Sequence, residues 1–170
     1  MEFSDVIKNR YSCKKFSSEQ IGKDKLDAIL EAGRVAPTAK NLQEQHIYVV
    51  QSESALETID KLTPCRYNAP TVLIVAYNKN NVFTYLGDKR NSGIEDATIV
   101  ATHLMLAAYN EGVDSCWINF FNPDELAKAF NLPEDEEILM LLDLGVADKT
   151  TTPLPVSYTH LRAHETSQDL

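Results

Sequence analysis

Glycine is scarce: six among 170 residues, none of them grouped. Neither G-x-G-x-x-G nor G-x-x-x-x-G-K-[ST] occurs, which argues against a dinucleotide loop or a P-loop of the usual kind. G-x-S-x-G is missing too, and with it the common hydrolase elbow. Cysteine is sparse and scattered. Cys13, Cys65 and Cys116 form no C-x-x-C pair and no Cys/His spacing suited to zinc. Free thiols in a reducing cytoplasm are the expectation. Long apolar runs are also absent. Thr71 to Tyr77 and Ile138 to Leu142 are the longest, far short of the roughly 20 residues a membrane-spanning helix needs. The opening Met-Glu-Phe-Ser-Asp has no basic stretch leading into an apolar one, so no secretory leader is expected. Positive charge is outnumbered, with 16 Lys and Arg against 25 Asp and Glu and a net charge of −9. A chain so acidic lacks the basic face that a phosphate backbone requires, so nucleic acid is not an expected partner. The many carboxylates include no pair that stands out as a general acid and base.

What is present suits one domain with a core: 44% of residues are hydrophobic and 24% charged. Phe3, Val6 and Ile7 recur at helical spacing. Leu26, Ile29, Leu30 and Gly33 repeat the pattern, with Pro37 beyond a helix stop near Val35. His46 to Gln51 is rich in β-branched residues and predicts a strand. Ser54 to Leu62 predicts a helix, and Thr71 to Tyr77 a strand buried on both faces. Ser92 to Glu95 has capping-box spacing at the head of a helix that Gly112 can close. That helix is apolar around most of its circumference, so it is expected in the core or against a partner. Asp114 to Phe121 predicts a strand. Asn122-Pro123-Asp124-Glu125 starts another helix, and Glu137 to Val146 supplies the last strand. No strand separates the first two helices, so the expected class is α+β, a sheet layered with helices, rather than a βαβ repeat. From Val156 onward apolar periodicity fades. Residues 1–155 are taken as the domain and 156–170 as a non-native or disordered tail.

Three segments could carry chemistry. The first is Arg10-Tyr11-Ser12-Cys13-Lys14, just after the opening helix. Arg can grip a phosphate through two donors and Lys adds a mobile charge, although alone the cluster reads first as a solvated basic turn. The second is Ala36-Pro37-Thr38-Ala39-Lys40-Asn41-Leu42-Gln43, ahead of a strand. Asn41 and Gln43 can read the edge of a heterocycle, and an Asx-type turn is the plainer alternative. The third is Ser115 to Phe121, an aromatic strand end that serves equally as a wall for a planar ligand or as plain core. His46 and His103 are expected on core or helix faces, and Cys116 as a small buried hydrophobe.

Together the three segments resemble the nitroreductase family of FMN enzymes. R-x-S-x-K at Arg10, Ser12 and Lys14 resembles that family's first flavin motif. A-P-T-A-K-N-L-Q resembles its A-P-S-x-x-N-x-Q loop. Gly93 to Gly112, followed by Cys116-Trp117-Ile118, resembles its central helix and the next strand. The resemblance spans about Phe3 to Leu154. It implies a mixed, mainly antiparallel sheet flanked by helices, in a homodimer with FMN at the interface. Arg10, Ser12 and Lys14 would hold the phosphate and the pyrimidine side of one flavin, with Tyr11 contributing backbone. Pro37, Thr38, Ala39 and Asn41 would reach that flavin from the other subunit. Ile118 and Asn119 would lie near N5, and Asp96 matches a helix position facing the flavin. The implied reaction is ping-pong: NADH or NADPH gives hydride to the flavin, and a small-molecule acceptor such as a nitroaromatic or quinone removes it. Members of the family end in a basic arm that wraps the partner. Here the odd tail stands in that place, and Arg162 is not expected to substitute. Two other functions stay open: a flavin-binding sensor or carrier without turnover, or another reduction such as dehalogenation, for which residues Lys79 to Asn91, with Phe83 and Tyr85, offer only a small lid.

Overall fold

The computed structural model describes residues 1–87 and 89–153. Five helices, α1 (Phe3–Asn9), α2 (Lys23–Arg34), α3 (Glu53–Leu62), α4 (Gly93–Asn110) and α5 (Pro123–Ala129), surround four strands, β1 (Gln45–Val50), β2 (Thr71–Asn78), β3 (Asp114–Ile118) and β4 (Glu136–Gly145). The sheet order is β1-β2-β4-β3, and all three strand pairings are antiparallel. Among the described residues the one parallel feature is an isolated bridge between Ser12 and Ser115. The α+β class expected from the order of elements is the class observed. The tail from Val156, with Arg162, lies outside the described residues.

Two apolar layers sandwich the sheet. On one face Leu73, Val75, Met140, Leu142 and Leu144 pack with Ile29 of α2 and with Val100, Ala101 and Leu104 of α4. On the other, Val72, Ile74, Ala76, Cys116 and Leu141 pack with Leu56 and Ile59 of α3 and Leu126 of α5. β2 is buried along nearly its whole length, as its unbroken apolar run requires. Gly33 lets α2 and α4 approach closely, because a Cβ there would come 2.7 Å from Leu104 Cδ2. At the end of α4, Gly112 takes φ +69°. The Gly112 amide donates to the Tyr109 carbonyl and the Val113 amide to the Ala108 carbonyl, the paired bonds of a Schellman stop.

Two local expectations are corrected. Ser92 and Glu95 do not form a capping box, since the Ser92 side chain makes no cap bond to α4. Its hydroxyl oxygen accepts from the Phe83 amide instead, and Asn91 Oδ1 accepts from the Gly93 amide. The strand expected to reach Phe121 stops at Ile118. There Asn119 turns the chain, accepting from Trp117 Nε1 on its side chain and from the Phe121 amide on its carbonyl. Asn122 then caps α5 as expected, its Oδ1 accepting from the amides of Asp124 and Glu125.

Candidate functional site

The basic cluster is an extended segment laid along the free edge of β3. Arg10 ends α1, its amide donating to the Val6 carbonyl. From there the chain runs parallel to β3, bridged at Ser12 and Ser115, with the Cys13 amide donating to the Ser115 carbonyl at 2.9 Å. Alternation then decides which side chains enter the protein. Cys13 is buried, whereas Ser12 and Lys14 are exposed. Burial pushes the Cys13 thiol above its ordinary range. Burial, followed by Asp114, raises the Tyr11 phenol to about 12, so Tyr11 stays neutral. Arg10 Nε is buried with no hydrogen-bond partner. Among the described residues neither Arg10 nor Lys14 belongs to an ion pair, whereas Lys15, next along, pairs with Asp148 at 3.3 Å. Ile118 and Asn119 lie at the far end of the same strand. The edge thus gathers Arg10, Tyr11, Ser12, Lys14, Ile118 and Asn119, with two cations lacking an anion.

The polar loop lies elsewhere. Ala39–Asn41 is one turn of 3-10 helix leading towards β1, and Lys40, Asn41 and Gln43 all adopt positive φ between 52° and 55°. Such backbone is costly for non-glycine residues and persists only when its surroundings hold it. Thr38 Oγ1 accepts from the Gln43 amide at 3.1 Å, and Asp96 Oδ1 in the first turn of α4 accepts from the Ala39 amide at 2.9 Å. Asp96, expected to face a flavin, is only 4% exposed, and its observed contact is this tether. Pro37, Thr38, Ala39 and Asn41 therefore cluster with Asp96 and not with Arg10. A cleft of about 570 Å³ opens beside the loop, lined in part by Thr38, Gln43, Gln45 and Arg34.

The two groups sit on opposite edges of the sheet. The loop feeds β1 and the basic segment flanks β3, with two strands between them. Strand spacing alone separates those edges by about 14 Å. They also differ along α4. Asp96 is in its first turn, while Tyr109, within electrostatic reach of Tyr11, is in its last. That adds about 20 Å at 1.5 Å per residue. Apolar side chains stay exposed between and beside them: Phe3 and Ile7 on α1, and Ile94 and Ile99 on α4. Sequence reasoning missed one residue here. Glu44, between the loop and β1, is 2% exposed, and both its carboxylate oxygens lack partners. Nothing in its neighbourhood, Asn-Leu-Gln-Glu-Gln, signals burial.

The model of the nitroreductase family matches residues 7–66 and 63–146. The chain belongs to the nitroreductase family. A nitroreductase family protein from Clostridium difficile 630 superposes with a TM-score of 0.84 at 31% identity, over 95% of this chain and 99% of that one. An FMN-dependent nitroreductase from Clostridium difficile R20291 superposes with a TM-score of 0.73 at 26% identity, over 91% and 92%. Among curated proteins, YodC of Bacillus subtilis, provisionally named an NAD(P)H nitroreductase, is 28% identical over 183 residues, covering 85% of this chain and 89% of its own. The matched ranges include both groups, Arg10 to Lys14 and Pro37 to Gln43. No described helix is long and apolar enough to cross a membrane, and no described cluster of His, Cys, Asp and Glu could hold a metal ion.

Proposed function

We propose that this nitroreductase family member is an FMN-dependent oxidoreductase. It would use NADH or NADPH to reduce nitroaromatics, quinones or similar small acceptors, as a homodimer in the cytoplasm. The observation that carries the reading is the pair of unpaired cations, Arg10 and Lys14, aligned along β3 with Arg10 Nε buried and orphaned. A buried donor without a partner is costly, and an anionic group such as a flavin phosphate would satisfy it. When bound, FMN would supply the hydride relay, taking a hydride from the nicotinamide and passing it to the acceptor. Arg10 would hold the phosphate in bidentate fashion, with the Ser12 hydroxyl as a further donor. Lys14 would set a positive charge beside the pyrimidine side of the ring, where negative charge grows on reduction. Ile118 and Asn119 would present backbone groups near the reacting edge. No nucleophile or acid–base pair is required.

The same geometry supports a homodimer. In one chain the Pro37–Asn41 group and the Arg10 group cannot converge on a single ring system, because they flank opposite sheet edges. A two-fold copy would bring the loop of one subunit, with Pro37, Thr38, Ala39 and Asn41, to the basic edge of the other. The exposed Phe3, Ile7, Ile94 and Ile99 would be covered in that interface. Residues 1–155 would form the working domain, with the tail outside it. The test is a visible spectrum of the purified protein before and after anaerobic NADH or NADPH. A yellow protein that bleaches supports the reading. A protein that stays colourless after added FMN sinks it, and a yellow one that neither donor bleaches points to a non-catalytic flavin carrier.

A further inference from the structure

Glu44 and Asp96 place two carboxyl groups together in a buried space. They are 2% and 4% exposed, and Glu44 lies within hydrogen-bonding reach of Asp96. Asp96 Oδ1 is engaged by the Ala39 amide, while Asp96 Oδ2 and both Glu44 oxygens have no partner. Two adjacent buried carboxylates cannot both stay ionised. One proton between them turns an orphaned acceptor into an O–H donor. A shared O–H···O bond would then join Glu44, at the exit of the loop, to Asp96, which already holds its entry through the Ala39 amide.

We propose that Glu44 and Asp96 form a proton-sharing latch that holds the Pro37–Gln43 loop in its positive-φ conformation, making Glu44 a positioning residue for the FMN site. The inference rests on the FMN reading for its consequence but not for its mechanism. The loop needs such a clamp because Lys40, Asn41 and Gln43 all occupy left-handed backbone. Among the described residues no Lys, Arg or His pairs with either carboxyl. β1 contributes the neutral Gln45, whose side-chain amide lies beside the Glu44 carboxyl and favours its ionised form. β2 contributes only the Asn78 amide, donating to the Glu44 carbonyl at 2.9 Å. From the segment before α4, Tyr85 lies within electrostatic reach of Asp96. Arg90 stacks 4.1 Å from the Tyr85 ring centroid and pairs with Glu95 at 3.6 Å. Lys40 sits 5.3 Å from the Phe83 ring centroid. Burial first, opposed by the Glu44 backbone amide and Gln45 and reinforced by Asp96, pushes the Glu44 carboxyl up to about 7. Above that pH the proton leaves to solvent, two like charges face each other, and the loop is released.

Two measurements test the latch. FMN affinity of the reconstituted apoprotein, followed by flavin fluorescence, is expected to weaken about tenfold between pH 6 and pH 8.5, as linkage to one carboxyl near 7 requires. In Glu44→Gln, where an amide donates to Asp96 at every pH, affinity stays at its low-pH value throughout. Glu44→Ala is expected to lose affinity at both pH values. The second readout needs no flavin: tryptic cleavage after Lys40 in the apoprotein, normalised to an unfolded peptide of the same sequence. It should accelerate with pH in the native chain and stay flat in Glu44→Gln. An equal pH response in native protein and Glu44→Gln overturns the latch, and so does a native protein with no response in cleavage. Absence of FMN binding beside a pH-dependent cleavage step removed by Glu44→Gln keeps the latch and removes the FMN reading.

Discussion

The two edges of the sheet solve opposite problems with charge. Along β3, Arg10 and Lys14 are positive and lack an anion; Arg10 is half-buried with an orphaned Nε, and Lys14 is exposed. At the entrance to β1, the carboxyl groups of Glu44 and Asp96 are hidden, with three oxygens lacking partners. The first edge leaves donors ready for an external anion. The second closes on itself and fixes a strained loop. On the proposed reading a single chain carries two incomplete halves of an FMN site, one near each end of α4.

α4 sets that separation, so damage to it should have the largest effect. Leu104 is fully buried against Gly33 and the sheet. Leu104→Ala is expected to cost about 2–5 kcal/mol of stability and to degrade both halves together, measured by urea unfolding and FMN content. Next in size is Arg10→Ala. Loss of charge-assisted bonds worth roughly 1.5–3 kcal/mol should weaken FMN binding about 10- to 100-fold while leaving the unfolding midpoint nearly unchanged. An unchanged flavin content in that variant would refute the phosphate assignment.

A third prediction concerns a carboxyl belonging to neither half. Asp143 in β4 is fully buried, with both oxygens unpartnered. Burial raises it to about 9, with Arg66 pulling the other way. A group raised in the folded state contributes stability below its unfolded value near 3.9 and loses it as pH rises towards its folded value. The melting temperature should therefore fall between about pH 4 and pH 9, and Asp143→Asn should flatten that slope in a thermal melt series. The smallest effect is expected at Lys40. Lys40→Gly relieves a positive φ of 53° but frees the unfolded chain, so stability should change by less than about 1 kcal/mol. Lys40→Val should destabilise more, because a branched side chain tolerates that backbone poorly.

The sequence carried the fold well because most elements bury one clear stripe or run. The end of α2, both ends of β2 and the start of α5 fall within two residues of expectation, each with local punctuation: Val35 before Pro37, the apolar run from Thr71, and the Asn122-Pro123 start. The capping box failed because Ser92 had a competing donor, the Phe83 amide, nine residues earlier and visible only in three dimensions. The β3 strand ended early because Asn119 can bond locally, which spacing cannot weigh against β propensity. At the site, the separation of the Arg10 and Pro37 groups was implied by the family resemblance, and residue patterns alone did not show it. Arg10, Ser12 and Lys14 alternate in a way that reveals a bound edge only once Ser115 is seen beside Ser12. Glu44 gave no signal at all, being one polar residue among polar neighbours. Asp143 did give one, a lone carboxyl between Leu142 and Leu144 in an apolar run.

The most direct test of two half-sites completed by a second copy is a mixed dimer. Arg10→Ala in one tagged chain and Asn41→Ala in the other place one lesion on each edge. Co-expressed and purified through both tags, the mixed dimer is expected to contain one intact site, and so to bind close to one FMN per dimer at native affinity while each parent homodimer binds weakly. A mixed dimer binding no more tightly than the average of its parents would contradict the account.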